Sequence, residues 1–488
     1  MQKNMKRIYK GLLGLSAIAL LSLGSCKKYR DINTNPNNPE IVDIKLLLPS
    51  AEAGIAQQVG GKFQVIGGMW SQYWTQSPVA SQYRVVDQYQ IAGSDVNNGW
   101  NGLYADALMD LQKIVELSGS QKNYAAIAKI LQGYTFQVLT DQFGDIPFSE
   151  ALKGESANIT SPHYDKQEDV YKGIIALVQE GMNELDPNSP APGTDDLIYG
   201  GDLSEWQRFG NTLLLKMYMR LSVKSPAMAE AGVDSLYASG IGFLEEGETA
   251  QITYGTAAGS YNPLYSEMNN AVINQTQNLI ASATLTDSMN ANEDERLTAF
   301  YTAGSGGYVG NDQGDISTET DASSFAIPGP AVGGNAVNLA SATAPVLFIS
   351  DYESLLLQAE AAARGWGDGD AAELFGRAIS ANFDAYGLDA TDYLANARWA
   401  QYPAAGTMEE QIEFIITQKW FCMCGNEGLE AWTEWRRTGY PGFFVISKSS
   451  RIGNNFPQRF PYPDEEVTNN ANFPGQKSIT DKVWWDVN

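Results

Sequence analysis

Residues 352–383 read YESLLLQAEAAARGWGDGDAAELFGRAISANF, and this stretch decides the fold. Apolar residues recur at helical spacing on both sides of a glycine-rich break, which predicts two helices over 352–363 and 371–383. The second helix begins at Ala371 and keeps the A-x3-F-x2-A spacing that is typical of the second helix of a tetratricopeptide repeat. The stretch therefore predicts a helix pair of the repeat type.

Helical periodicity predicts three more pairs along the chain, and a first helix over 44–73 that is interrupted at Gly60 and Gly67. The three pairs cover 98–143 (broken at Gly119), 170–185 with 206–223, and 408–420 with 426–437. Because each repeat buries its apolar face on its neighbour, recurring pairs indicate a helical-repeat scaffold. The sequence predicts a mainly α fold of about four tetratricopeptide-like helix pairs.

Long insertions separate the predicted pairs, at about 240–345 and 440–488. The first insertion is rich in Gly, Ala, Ser, Thr and Asn with scattered tyrosines, and the second contains seven Phe or Tyr residues. Loops longer than about 12–15 residues in a compact domain are usually functional or disordered. The aromatic content favours ordered, functional loops on a single α-helical domain over 46–488.

The N-terminus has the pattern of a lipoprotein signal peptide. A basic segment over 3–10 precedes an apolar stretch over 11–23, which is too short to span a bilayer as a helix. The sequence Leu-Gly-Ser-Cys then ends at Cys26. We predict a signal peptide over 1–25, lipidation of Cys26, and a tether over 26–45 that anchors the protein to a membrane without spanning it. A structural cysteine behind an ordinary signal peptide is the alternative.

The charge of the chain excludes several classes of partner. It has 57 acidic and 32 basic side chains and a net charge of −25, which becomes −29 without the four basic residues of 1–25. Proteins that bind nucleic acid through phosphates need a positive face, so we expect no nucleic-acid partner. Two cysteines, Cys422 and Cys424, and one distant histidine cannot complete a zinc site. We interpret both cysteines as core residues.

The residues offer little catalytic chemistry. The single histidine, His163, follows a proline in a polar loop, and motifs of serine hydrolases, zinc proteases and nucleotide-binding enzymes are missing. Glu427, Glu430 and Glu434 share one helical face beside two arginines, which fits a solvated or salt-bridged face as well as a catalytic carboxylate pair. An acidic, glycine-containing loop over 311–319 is a candidate calcium site without EF-hand spacing. We expect no enzyme activity and no cofactor.

Aromatic and amide side chains of the kind that bind sugars cluster within residues 70–89. Flat aromatic faces cover the apolar face of a sugar ring, while a few polar groups bind its hydroxyls. The ligand-binding candidates are Tyr73, Trp74, Gln76, Tyr83 and Arg84. The helical spacing of the first aromatic residues also fits a core-facing stripe, so packing and binding both stay open, and packing is favoured for the neighbouring Trp70.

Short motifs spread over most of the chain resemble the SusD/RagB family of nutrient-binding outer-membrane lipoproteins of Bacteroidetes. Their order along the chain makes the resemblance specific. The motifs are LGSC at 23–26, DINTNPN at 31–37, FGDIPF at 143–148, W at 206 through NTL at 211–213 to RLS at 220–222, DERL at 294–297, YE at 352–353 with AEA at 359–361, NEGLEAW at 426–432, RRTG at 436–439 and RFPYPDEE at 459–466.

The resemblance implies four tetratricopeptide-like units whose loops bind a glycan or another nutrient without catalysis. It also implies that the protein caps a SusC-like, TonB-dependent β-barrel transporter of the outer membrane, lipid-anchored and facing the cell exterior. Our leading hypothesis is capture of an oligosaccharide for delivery to that transporter. The alternatives are an all-helical glycoside hydrolase with a carboxylate pair, and a structural lid of the transporter without ligand affinity. The sequence does not distinguish starch, fructan, host glycan or peptide as the ligand.

Overall fold

The structure is a computed structural model that describes residues 43–269, 277–316 and 321–488. The signal peptide, Cys26 and nearly all of the tether lie outside the described residues, so the predictions made for them stay predictions. The described chain is mainly α-helical, as predicted. Within the described residues, no helix combines the length and the apolar character that crossing a bilayer requires.

Long helices account for most of the scaffold. They span Ile44–Val59, Lys62–Trp70, Gly93–Asn101, Met109–Leu117, Lys122–Phe143, Gln167–Glu184, Leu203–Arg220, Pro226–Ala238, Ala283–Ala291, Asp351–Ala363, Ala371–Ala385, Met408–Cys422 and Gly428–Thr438. A π-helical segment, Gly102–Leu108, joins two of them. The shorter helices are Arg84–Asp87, Gly154–Ala157, Pro263–Met268, Leu297–Phe300, Thr391–Asn396 and Asp464–Asn469, with 3-10 turns at Pro330–Val332, Leu339–Thr343 and Arg398–Ala400.

The stretch that decides the fold forms the predicted helix pair. Asp351–Ala363 packs against Ala371–Ala385 and also against Met408–Cys422. Phe375 and Ala378, two of the residues in the repeat spacing, are buried in the core that these helices share. The glycine-rich break therefore works as the turn of a helical hairpin, as the spacing predicts.

The first predicted helix is two helices, which corrects the boundary at 73. Ile44–Val59 ends at Gly60, and Lys62–Trp70 follows as a separate helix. A Cβ atom on Gly60 would lie 2.4 Å from the Cγ2 of Val346, so the turn passes too close to a neighbouring strand for any side chain. The glycines therefore permit a tight turn between two helices.

Four two-stranded antiparallel sheets connect the insertions to the scaffold in the described part of the chain. Their paired strands are Trp74–Gln76 with Leu279–Ala281, Ile146–Pro147 with Tyr164–Asp165, Ala250–Ile252 with Val346–Ile349, and Tyr301–Thr302 with Ile327–Pro328. Three of these pairings bring residues of the insertion 240–345 into a sheet. The insertion is therefore more regular than the composition predicts.

Candidate functional site

Four of the five predicted ligand-binding residues lie in the core, and their role in binding stays a prediction. The side chains of Tyr73, Trp74, Gln76 and Tyr83 have no exposed area, and only Arg84 is partly exposed. The physical reason is a pairing over about two hundred residues of sequence. The strand Trp74–Gln76 pairs with Leu279–Ala281, which covers it.

The buried candidates make contacts within the protein. The Tyr73 hydroxyl donates to the backbone carbonyl of Trp420 at 2.5 Å, and their rings stack at 5.7 Å. The Gln76 side-chain oxygen accepts from the Tyr83 backbone N–H at 2.6 Å. Arg84 donates to the Ala80 carbonyl at 3.1 Å. In this conformation these residues position the surrounding loops and leave a ligand little surface to contact.

Asp87 connects residues 74–87 to the loop around Gln313 through hydrogen bonds of its buried carboxylate. Its Oδ2 accepts from the Thr75 hydroxyl at 2.8 Å and from the Gln76 N–H at 2.7 Å, and its Oδ1 accepts from Gln313 Nε2 at 2.7 Å. Burial raises the pKa of Asp87 to about 6, against the three donors, which lower it. The loop around Gln313 is therefore fixed to residues 74–87 by a buried carboxylate.

A third loop joins the same place through Gln72. Its side-chain nitrogen donates to the Val445 carbonyl at 2.8 Å, and its oxygen accepts from the Val445 N–H at 3.2 Å and from the Thr284 hydroxyl at 2.7 Å. The backbone N–H of Lys448 donates to the Gln313 carbonyl at 2.9 Å. Residues 72–90, 283–315 and 443–452 thus form one connected surface region.

Two residues of this region, Phe443 and Phe444, belong to a continuous row of seven aromatic rings, which we call the aromatic row. Its members in order are Phe414, Trp399, Phe443, Trp420, Phe444, Trp435 and Phe456. Neighbouring ring centroids lie between 4.7 and 6.3 Å apart. Trp399 and Trp420 are buried and form the floor, and the other five rings are partly exposed.

The helices of the scaffold hold this row in place. Trp420 lies on Met408–Cys422, and its indole N–H donates to the Ser71 carbonyl at 2.8 Å. Trp435 lies on Gly428–Thr438 and stacks on Phe444 with an angle of 15° between the ring planes. Because the rings sit on rigid elements and on a tied loop, the row is preorganised.

A cavity of about 260 Å³ lies beside the aromatic row. Its lining consists of Phe443 and Val445 from the row's loop and, from the insertion, Ala283, Thr284, Asp287, Ser288, Asp312 and Gln313. Apolar rings beside hydroxyl, carboxylate and amide groups are the combination that sugar sites use. Larger hollows of about 620, 830 and 880 Å³ also occur in the described chain, but their linings include no ring of the aromatic row. The aromatic row and this cavity are therefore the candidate site.

Residues 311–316 of the candidate calcium loop are described, and two of their carboxylates pair with a lysine; residues 317–319 lie outside the described residues. Lys448 Nζ lies 2.6 Å from Asp312 Oδ2 and 2.7 Å from Asp315 Oδ2. Hydrogen bonds with the two carboxylates raise the pKa of Lys448. An ammonium group therefore already neutralises part of the charge that a calcium ion would need, and calcium binding here stays an untested hypothesis.

Comparison with known proteins decides the family. A family model, SusD-like, described as starch-binding and associating with the outer membrane, matches residues 36–463. The chain belongs to the SusD-like family. A search of curated proteins found no match.

Solved structures of SusD homologues share the fold. A chitin-binding protein is 27% identical to this SusD-like chain with a TM-score of 0.78, and the match covers 91% of this chain and 100% of that one. A chitin-binding SusD homologue from Flavobacterium johnsoniae is 24% identical with a TM-score of 0.76, covering 90% and 99%. A SusD homologue from Bacteroides uniformis is 23% identical with a TM-score of 0.76, covering 91% and 99%.

The three glutamates Glu427, Glu430 and Glu434 of this SusD-like chain are largely buried, and two of them form ion pairs. Glu430 and Glu434 both pair with Arg220, and Glu434 lies 2.7 Å from Arg437. Burial, reinforced by Glu353, raises the pKa of Glu427 to about 8. The cavity beside the triplet is about 40 Å³, room for a few water molecules and not for a sugar ring. The arrangement supports the salt-bridged interpretation, although the face is buried instead of solvated.

Sequence reasoning missed the aromatic row, although one signal for it was present. The predicted insertion 440–488 is notable for its aromatic content, and Phe443 and Phe444 belong to it. Trp399 and Trp435 lie outside that insertion and reach the row only through the packing of the helices. The adjacent Phe443 and Phe444 are the part of the candidate site that the composition of the insertion already indicates.

Proposed function

We propose that this SusD-like protein captures an oligosaccharide on the aromatic row and delivers it to a SusC-like, TonB-dependent transporter. The observation that carries the proposal is the row itself, with five partly exposed rings on a rigid floor beside a polar cavity. Family membership supports carbohydrate binding. The lipid anchor at Cys26, the outer-membrane location and the transporter are parts of the proposal that the family supports.

The geometry suits capture because the rings are presented without further folding. Sugar rings stack their C–H faces on aromatic planes, and preorganised rings avoid the cost of ordering side chains on binding. The stacked pair of Trp435 and Phe444 offers the flattest part of the row. Asp287, Thr284 and Ser288 lie in the lining of the adjacent cavity, where sugar hydroxyls need hydrogen-bond partners.

Chitin fragments are the first ligands to test, because the chitin-binding protein that is 27% identical shares nearly the whole chain. The soluble protein without residues 1–26 is titrated with oligosaccharides of chitin, starch and fructan, and new reducing ends are measured in the same samples. We expect saturable binding of at least one class without new reducing ends. Reducing ends that disappear on changing a carboxylate pair would support the hydrolase instead.

The variant Trp435→Ala tests the aromatic row. Losing a stacked indole removes aromatic contact and buried apolar area, so we expect affinity to fall about tenfold or more, equivalent to about 1.4 kcal/mol. Trp484→Ala is the matched control, because Trp484 is also partly exposed but contacts Tyr171 and Lys224 outside the row. Unchanged affinity in a folded Trp435→Ala protein would remove the row from the site.

A further inference from the structure

The hollow of about 830 Å³, which we call the second hollow, has the size and the walls of a ligand site. Small-molecule sites in proteins have volumes of roughly 300–1,000 Å³ and mainly apolar linings. Alanine and proline side chains, among them Pro330, Pro345 and Ala385, form much of the wall of the second hollow. Tyr386 adds a partly exposed aromatic ring. The apolar half of a sugar site is therefore present.

A buried tyrosine in this lining has a hydroxyl group without a partner. Tyr352 is only 2% exposed, and its hydroxyl forms no hydrogen bond within the described chain. Unlike the hydroxyl of Tyr237, it is not sealed off in the core, so it reaches open space. The open space that Tyr352 lines is the second hollow. Because buried polar groups normally have a hydrogen-bond partner, we expect this hydroxyl to bind water or a ligand from the hollow.

Two amide side chains from other parts of the chain add to the polar half of the lining. Asn426 Nδ2 donates to the Tyr386 hydroxyl at 2.9 Å, whereas its Oδ1 accepts no hydrogen bond from the described chain. Gln251, on the strand Ala250–Ile252, is partly exposed, and its amide forms no hydrogen bond with other described residues. Three segments that are distant in sequence thus bring a free hydroxyl and free amide atoms to one hollow.

The carboxylates of the lining are largely engaged. Asp351 accepts from the Gly247 N–H at 2.7 Å, and Glu246 lies 2.6 Å from Arg377. Asp384 is exposed. None of the described residues in the lining is Lys, Arg or His. The second hollow therefore suits an uncharged ligand better than an anion, and it offers a cation only the exposed Asp384.

We infer that the second hollow is a second carbohydrate site, which binds a short, uncharged saccharide independently of the aromatic row. Each sugar hydroxyl both donates and accepts hydrogen bonds, which matches a lining with a free hydroxyl and free amide atoms. The Tyr386 ring and the proline walls suit the C–H faces of the sugar. The inference goes beyond the proposed function because it adds a site, and it takes from the family only the class of ligand.

The first test uses small sugars as probes. Glucose, N-acetylglucosamine, maltose, chitobiose and glucuronate are titrated into the soluble protein and followed by saturation-transfer NMR. We expect at least one of the four uncharged sugars to bind weakly and saturably. Glucuronate should bind more weakly than glucose, because it brings a negative charge to a lining without a basic side chain.

Two variants of the lining locate the bound sugar. Tyr352→Phe removes only the hydroxyl, so we expect the affinity to fall about two- to tenfold, the net effect of one neutral hydrogen bond. Without sugar its free energy of unfolding should not fall, because the hydroxyl has no partner in the described chain. Tyr402→Phe is the matched control, since Tyr402 lies outside the lining and its hydroxyl also forms no hydrogen bond with described residues. Ala385→Trp narrows the hollow from an exposed position of its wall and should abolish binding.

The outcomes separate the second hollow from the aromatic row. Trp435→Ala, which removes a ring of the row, should not change the binding of small sugars in the hollow. Binding that is lost in Trp435→Ala but kept in Tyr352→Phe and Ala385→Trp overturns the inference and leaves capture on the row in place. Binding of no probe also overturns the inference, whereas failure of the longer oligosaccharides to bind overturns the proposed function. Weaker binding in Tyr352→Phe with unchanged binding in Tyr402→Phe supports the second site.

Discussion

Asp87 offers a quantitative test of how the site loops are held. The variant Asp87→Asn removes a buried carboxylate that accepts from Thr75, Gln76 and Gln313. Burial raises the folded-state pKa of Asp87 from 3.8 to about 6. Because the folded state then holds its proton more tightly than the unfolded chain, the contribution of Asp87 to stability is largest below about pH 4. It is lost as the pH rises through about 6.

The magnitude follows from the two pKa values. A difference of about two pH units corresponds to about 3 kcal/mol, at about 1.4 kcal/mol for each unit. We expect the free energy of unfolding of the wild type, minus that of Asp87→Asn, to fall by about this amount between about pH 4 and pH 7. The asparagine itself does not titrate, so the difference isolates Asp87 from the other acidic groups of the chain.

Urea unfolding at a series of pH values, followed by circular dichroism, measures the difference. Thr75→Val is the companion variant, because it removes one donor to the Asp87 carboxylate. Loss of the Thr75 hydroxyl should raise the pKa of Asp87 further. The free energy of unfolding should then fall more steeply as the pH rises. A difference between wild type and Asp87→Asn that stays constant from about pH 4 to pH 7 would refute the assigned role of burial.

Four further variants, measured by urea unfolding, test the hydrogen bonds between Gln72 and Val445, the close approach of Gly67 to Leu429, and the buried ion pairs of Glu434. Gln72→Ala removes both hydrogen bonds to Val445 and should lower the free energy of unfolding by about 1–3 kcal/mol and weaken glycan binding; unchanged values would contradict the role of Gln72 in holding this loop. Gly67→Ala places a Cβ atom 2.3 Å from the Leu429 backbone nitrogen and should lower the free energy of unfolding by at least about 1–3 kcal/mol. The control Gly376→Ala has open space around it and should raise the free energy of unfolding by about 0.5–1 kcal/mol. Equal effects of the two variants would contradict the close approach of Gly67 to Leu429. Glu434→Gln removes one of the two buried carboxylates beside each of Arg437 and Lys419, which keep Glu360 and Glu353, and should cost about 1.5–3 kcal/mol; a cost under about 1 kcal/mol would show that the pairs with Glu434 contribute little.

The scaffold could be predicted from the sequence because helical periodicity is a local property. The prediction for 371–383 agrees with the observed helix, Ala371–Ala385, to within two residues, and the helix that ends at Gly144 does so with a backbone φ of 78°. Such signals lie within a few residues of the element they define. The family resemblance, read from motifs in order, is confirmed by the family match.

The candidate site could not be predicted because its parts are distant in sequence. The segment from Tyr73 to Tyr83 has the composition of a sugar site, yet a strand from the insertion covers it. An aromatic stripe at helical spacing does not reveal which side a distant segment will bury. The aromatic row shows the opposite case, in which residues distant in sequence come together. Trp399, Trp435 and Phe443 come from three parts of the chain and form one row only in the folded protein.

The division of the aromatic row into floor and surface has a consequence for specificity. Trp420 is buried and bonds to Ser71, so a change there disturbs the scaffold as well as the row. Phe443 and Phe444 are partly exposed and belong to a loop whose backbone is held by Gln72 through Val445. Since the hydrogen bonds that fix this loop involve main-chain atoms of Val445, its aromatic side chains can be exchanged without releasing it. If the row binds the ligand as proposed, its specificity can change at Phe443 and Phe444 without loss of these hydrogen bonds, whereas a change at Trp420 also disturbs the scaffold.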